Sequence, residues 1–138
     1  MNVREIMSTD VRCAKPDNTI VEAAGLMLSL DVGAVPVCDE DRLAGMLTDR
    51  DITLRVAAEG RDPRRTRVRE AMSAGIIAVF EDQSVEEAER VMEEKQVRRL
   101  PVLNREKRLV GIVSLGDLAT KSQPAFGGQA LREISRPS

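Results

Sequence analysis

Hydrophobic and polar positions along the chain change period in a fixed order, and that order occurs twice. A short apolar run, Val11–Ala14 and again Ile76–Phe80, predicts a strand. Each run stops at turn formers, Lys15-Pro-Asp-Asn18 and Glu81-Asp-Gln83. Thr19-x-x-Glu22 and Ser84-x-x-Glu87 follow with the spacing of a capping box, hydroxyl on the N3 amide and carboxylate back on the cap amide. Ile20, Ala23, Ala24, Met27 and Leu28 then recur on one helical face, as do Val85, Ala88, Val91 and Met92. Ala34–Cys38 and Leu100–Leu103 predict further strands, each with an early proline suited to a strand start. Polar turns lead into Leu43–Leu47 and Leu109–Val113, unbroken apolar runs that suit strands buried on both faces. A short helix is expected from Arg50 to about Glu59, closed by Gly60, and from Leu115 to about Lys121. The unit reads strand–helix–strand–strand–helix.

The repetition is visible residue by residue. At an offset of 65, Val3-Arg-Glu-Ile-Met-Ser8 falls on Val68-Arg-Glu-Ala-Met-Ser73, and Pro36-Val37 on Pro101-Val102. One inserted residue near 106–108 makes the offset 66, after which Leu43, Gly45, Thr48 and Asp51 meet Leu109, Gly111, Ser114 and Asp117. Two copies of one unit, about 3–58 and 68–121, account for the pattern. A lone unit of this size buries too little surface for a secure core, so the two are expected to pack as a pair with a ligand-sized cleft between them. The domain reading is a first unit over 1–60, a linker over 61–67, a second unit over 68–121 and a flexible tail over 122–138.

Composition narrows the function. The 138 residues include no His, Trp or Tyr, and 21 Lys+Arg stand against 23 Asp+Glu, a formal charge of −2. Without imidazole, the serine and cysteine triads that use it and His-built zinc sites are excluded, and no catalytic set or metal site is expected. The charge balance and the two aromatics, Phe80 and Phe126, argue against a nucleic-acid partner. The linker's four arginines, Arg61, Arg64, Arg65 and Arg67, read as a soluble connector. No apolar stretch approaches the roughly 18 residues of a membrane span, and the charged start is unlike a signal peptide, so a cytoplasmic protein is expected.

The order of elements resembles the cystathionine β-synthase (CBS) domain, and two in tandem resemble a Bateman module. Gly45-Met-Leu-Thr-Asp-Arg-Asp51, Gly111-Ile-Val-Ser-Leu-Gly-Asp117, Val97-Arg-Arg-Leu-Pro-Val102 and the opening Val-Arg-Glu-x-Met-Ser of each copy carry the resemblance. The stretch from Asp31 to Ile52 is similar to stand-alone CBS pairs of actinobacteria, the hypoxia-response type among them. The resemblance implies an α+β fold of two such units packed as a pseudo-twofold pair. It also implies a regulatory module that senses an adenine nucleotide or S-adenosylmethionine in the cleft, requires no cofactor, forms a homodimer and signals to an unidentified partner protein. The alternative is an interaction scaffold whose ligand sites are idle.

Thr48-x-x-Asp51 and Ser114-x-x-Asp117 are the first candidates. A hydroxyl three residues before a carboxylate after a strand is a capping box, and that alone explains the spacing. A carboxylate in the first helical turn can also accept hydrogen bonds from vicinal ribose hydroxyls, the role the resemblance implies, with free amides and the helix dipole favouring a phosphate nearby. Arg98-Arg99 stands where the first copy has Gly33-Ala34; it is either a solvated pair or a phosphate contact, and it makes the two sites unequal. Cys13 and Cys38 align with Ala78 and Leu103, so both occupy apolar slots. Two buried reduced thiols suffice to explain them. In the resembled fold their strands are neighbours, which makes them a candidate redox pair.

Overall fold

The computed structural model describes residues 1–121; the tail over 122–138 lies outside the described residues. The chain divides into two compact units, Arg12–Ile76 and Met1–Val11 together with the chain from Ile77 onward. Packing therefore cuts the chain about nine residues after the start of each sequence repeat, since Val3 and Val68 open the repeats while Arg12 and Ile77 open the units. The opening segment of each repeat is built into the unit formed by the other repeat.

In the 12–76 unit, helix α1 (Ile20–Leu30) precedes a hairpin of β1 (Ala34–Asp39) and β2 (Arg42–Thr48). Thr19 caps α1 as the sequence predicts, accepting from the Glu22 N–H while the Glu22 carboxylate accepts from the Thr19 N–H. Ala34 pairs with Thr48 and Val35 with Leu47 in antiparallel register, with a bulge at Val37/Cys38. Helix α2 (Asp49–Ile52) follows β2 at once and widens into a π-helical turn over Thr53–Ala57, where the Ala58 N–H reaches the Thr53 carbonyl. The core gathers Ile20, Met27, Val35, Val37, Leu47 and Val56 with Val68 and Ala71 from the second repeat's opening segment. Val68, wholly buried on a 3-10 turn, adds about 1.5–3 kcal/mol to that core.

The other unit repeats the plan. Strand β3 (Val79–Phe80) runs parallel to β4 (Arg99–Leu103), which is antiparallel to β5 (Leu109–Ser114). Helix α3 (Val85–Lys95) joins β3 to β4, and α4 (Leu115–Lys121) follows β5. Val3 and Ile6 from the chain's opening pack with Val85, Met92, Leu100, Val113 and Leu118.

Three expectations change. The run Val11–Ala14 forms no strand beyond a single parallel bridge from Ala14 to Val37, and Ile76–Phe80 shortens to Val79–Phe80. Proline is the cause: the next bond of each parallel ladder would need an N–H from Pro36 or Pro101, and neither has one. Ser84 accepts from the Glu87 N–H, but the Glu87 carboxylate turns to Gln83, so that capping box is half formed. Leu43–Leu47 and its counterpart are not uniformly buried; residues 43–47 alternate buried with half-buried, whereas β1 and β4 bury four residues in succession. Among the described residues no helix is long and apolar enough to cross a membrane.

Candidate functional site: two strand-to-helix corners

Each unit turns sharply where its second hairpin strand enters a helix, and both Ser/Thr-x-x-Asp motifs stand on that turn. The Asp49 N–H donates to the Gly33 carbonyl at 2.9 Å in one unit, and the Leu115 N–H to the Arg98 carbonyl at 2.8 Å in the other. These bonds fix each helix start against the residue just before β1 or β4.

The capping boxes are complete. Thr48 N–H donates to Asp51 Oδ2 and Asp51 N–H to Thr48 Oγ1, both at 3.0 Å. Ser114 N–H donates to Asp117 Oδ2 at 2.9 Å, and Asp117 N–H to Ser114 Oγ at 3.0 Å. Structure thus assigns one oxygen of each carboxylate to backbone satisfaction. The other faces a cation one helical turn on: Asp51 Oδ1 lies 3.6 Å from Arg55 Nη1, and Asp117 Oδ1 3.2 Å from Lys121 Nζ. Only 13% and 16% of the two carboxylate side chains is exposed, so each presents a narrow acceptor edge.

The corners differ in charge. Gly33 leaves room for the Asp49 carboxylate, whose Oδ2 would lie 3.0 Å from a Cβ there. Asp49, Asp31, Met27, Leu28 and Ile52 line an open groove of about 540 Å³ in this unit. In the other unit, Arg99 is the register partner of Ser114, and Arg98 and Arg99 are exposed. Neither arginine side chain has a hydrogen-bond or ion-pair partner among the described residues. They share a unit with Asp117, so one corner offers guanidinium groups and the other offers carboxylates.

Sequence reasoning missed Glu89 and Glu93, which occupy on α3 the positions of Ala24 and Leu28 on α1. Glu89 is 5% exposed, and burial, then a shared hydrogen bond with Glu93 and the charges of Glu93 and Glu86, push its carboxyl up to about 7. Glu93 Oε1 is buried with no hydrogen-bond partner among the described residues. An acid at a core-facing helical position was the available signal. Arg55 and Lys121 were also overlooked, although both stand four residues after the motif aspartate.

Cys13 and Cys38 do meet. Their sulfur atoms are 3.1 Å apart, because Ala14 is clamped between the Pro36 carbonyl and the Cys38 N–H, both at 2.9 Å. The Cys38 thiol donates to Cys13, lowering the Cys13 thiol and raising that of the buried Cys38, which burial and the Cys13 and Asp41 charges raise further. Both cysteines are free.

Known proteins share this architecture. The chain is 45% identical over 97% of its length to the CBS domain-containing protein YhcV of Bacillus subtilis, covering 95% of that protein. It is 46% identical to hypoxic response protein 1 of Mycobacterium tuberculosis, over 84% of this chain and 81% of that one. The crystal structure of hypoxic response protein I with two coordinated zinc ions superposes with a TM-score of 0.81 at 43% identity, covering 90% of this chain and 100% of that one. Among the described residues here, no group of three or more Cys, Asp or Glu side chains is placed to hold a metal ion. The CBS domain pair of protein MJ0100, in complex with 5′-methylthioadenosine and S-adenosyl-L-methionine, superposes with a TM-score of 0.75 at 26% identity, covering 94% and 98% of the two chains. The CBS domain family matches residues 3–58 and 68–123, nearly all that the described structure spans, and the chain belongs to that family as a tandem CBS protein.

Proposed function

We propose that the protein is a non-catalytic regulatory module that binds an adenine nucleotide or adenosyl compound at the strand-to-helix corners. The observation that carries this reading is the pair of narrow carboxylate edges, Asp51 Oδ1 and Asp117 Oδ1, each on an intact corner and each nearly buried. A ribose diol donates to such an edge, and a hydrogen bond to a charged acceptor in this setting contributes about 1.5–3 kcal/mol. Arg98 and Arg99 supply phosphate contacts beside Asp117, so a phosphorylated ligand favours that corner and an uncharged or cationic adenosyl ligand suits the acidic one. The ligand's differential affinity for two conformational states passes the signal to a partner protein. A cytoplasmic homodimer is part of the proposal, and its dimer half is supported by exposed apolar side chains on the helices of the 12–76 unit: Leu28 at 83%, Leu54 at 48% and Val21 at 47%.

A scaffold with idle sites is the second reading. It is favoured by the same carboxylates being satisfied already, by their caps and by Arg55 and Lys121. A thermal-shift screen of AMP, ADP, ATP, S-adenosylmethionine and NAD separates the two, because a ligand that binds the folded state raises apparent stability by mass action. A dose-dependent rise with one of them supports the sensor. No shift with any of the five supports the scaffold.

A further inference from the structure

The two motif aspartates share a second relationship that capping does not require. The Arg55 Nη1 that faces Asp51 Oδ1 also donates to the Ala71 carbonyl at 2.8 Å and to the Met72 carbonyl at 3.3 Å. Ala71 and Met72 belong to the second repeat's opening segment, which the 12–76 unit holds through two bonds between Met46 and Ser73, at 3.0 and 2.9 Å. The chain passes into the other unit at Ile77, four residues after Ser73.

The other unit builds the same arrangement from a different cation. Lys121 Nζ, 3.2 Å from Asp117 Oδ1, donates to the Ile6 carbonyl at 3.4 Å. Ile6 belongs to the first repeat's opening segment, held by two bonds between Ser8 and Ile112 at 2.8 and 2.9 Å. The chain leaves this unit after Val11. Arginine and lysine share little beyond charge, donor capacity and reach. That both take the same position between an aspartate and the same turn points to the linkage as the common feature.

We infer that Arg55 and Lys121 are positioning residues that couple each ligand carboxylate to the opening segment crossing between units. The inference rests on the ligand-sensing reading for its biological use, but the linkage itself exists without ligand. A cation shared between a carboxylate and backbone carbonyls is oriented by both. A diol that donates to Asp51 Oδ1 withdraws part of the charge that orients Arg55, and the hold on Ala71 and Met72 weakens. The opening segment then frays sooner at Ser73 while the core of the unit stays closed. The ion pair is half-exposed on its cationic side, so the coupling is of surface strength, enough to bias a local opening and too weak to unfold the unit.

Amide hydrogen exchange of the full chain at Met46 and Ser73 tests this. Asp51→Asn keeps an acceptor for the Thr48 N–H but removes the charge, and Arg55→Met removes the donor. Each is expected to speed exchange at both amides about threefold to tenfold. The double variant is expected to exchange no faster than either single one, and Arg55→Lys to stay near the wild-type rate. Unchanged rates in either single variant, fully additive effects, or failure of the lysine to rescue would overturn the coupling. With S-adenosylmethionine as the probe, the cationic adenosyl compound that suits the acidic corner, binding is expected to speed these two amides in the wild type and to leave Arg55→Met unaffected. S-adenosylmethionine that raises thermal stability without that local change overturns the ligand side of the coupling. Absence of any S-adenosylmethionine effect alongside the expected rates in ligand-free variants upholds the linkage and counts against that compound as the ligand of the proposed sensor.

Discussion

Cys38 Sγ lies 3.1 Å from Cys13 Sγ, held there by the Ala14 bridge between Pro36 and Cys38. Cys13 is half-exposed and the more readily ionised of the two, so it is the attacking thiol when an oxidant arrives. Mild oxidation is expected to close a disulfide and stabilise the 12–76 unit by about 3 kcal/mol in the chain-entropy account. Intact mass after alkylation under non-reducing conditions reads the result. Loss of both alkylation sites on oxidation is the expected outcome, and two alkylated thiols before and after would show simple core residues.

Two glycines should respond in opposite directions. A Cβ on Gly45 would run into the Ser73 carbonyl oxygen, which the fold cannot move without breaking the Met46–Ser73 bridge. Gly45→Ala is expected to cost about 1–3 kcal/mol. Gly25 lies inside α1 with nothing within 4 Å of a built Cβ. Gly25→Ala is expected to stabilise by about 0.5–1 kcal/mol, by removing backbone entropy from the unfolded chain. Urea denaturation of the two variants checks both signs.

Much of this was readable in advance, for definable reasons. The Thr19 cap, the hairpins and the Thr48 and Ser114 corners are local patterns, and local patterns survive folding. The first strand of each unit was overread because its limit is set at long range, by Pro36 and Pro101 on the neighbouring strand. The exchange of opening segments was invisible for a related reason. Val3 and Val68 read alike in either unit, and only packing decides which core receives them. Asp51 and Asp117 could be named from spacing, but the partners of their free oxygens emerged only with coordinates.

Stability should fall as pH rises toward neutrality. Glu89 has a folded-state pKa of about 7, above the ordinary carboxylate value, so its contribution is complete in acid and is lost as pH climbs from about 4.5 through 7. The loss is on the order of 3 kcal/mol. Glu22, Glu70 and Asp82 are shifted the other way, by a backbone hydrogen bond at Thr19, a backbone hydrogen bond at Arg67 and the Arg105 side chain respectively. Their contributions are present above the ordinary carboxylate range and disappear as pH drops below it. Glu89→Gln is expected to flatten the fall between about pH 4.5 and 7, leaving the acid limb intact. A wild-type melting temperature that is flat or rising over that window would contradict the assignment.

Leu28, Leu54 and Val21 expose apolar surface on the helices of the 12–76 unit. Light scattering at tens of micromolar is expected to give the mass of a dimer, and Leu28→Glu to shift it toward the monomer by placing a charge in the buried contact. A monomer mass for the wild type would remove the homodimer from the account.

The proposed sensor depends on ligand binding at the carboxylate edges of Asp51 and Asp117. Calorimetric titration of the best ligand from the five-compound screen, into wild type, Asp51→Ala and Asp117→Ala, measures it most directly. Binding to the wild type is expected, with a loss of about 1.5–3 kcal/mol, roughly tenfold to a hundredfold in affinity, at the site each substitution removes. Binding that is undiminished in both variants would contradict the proposal.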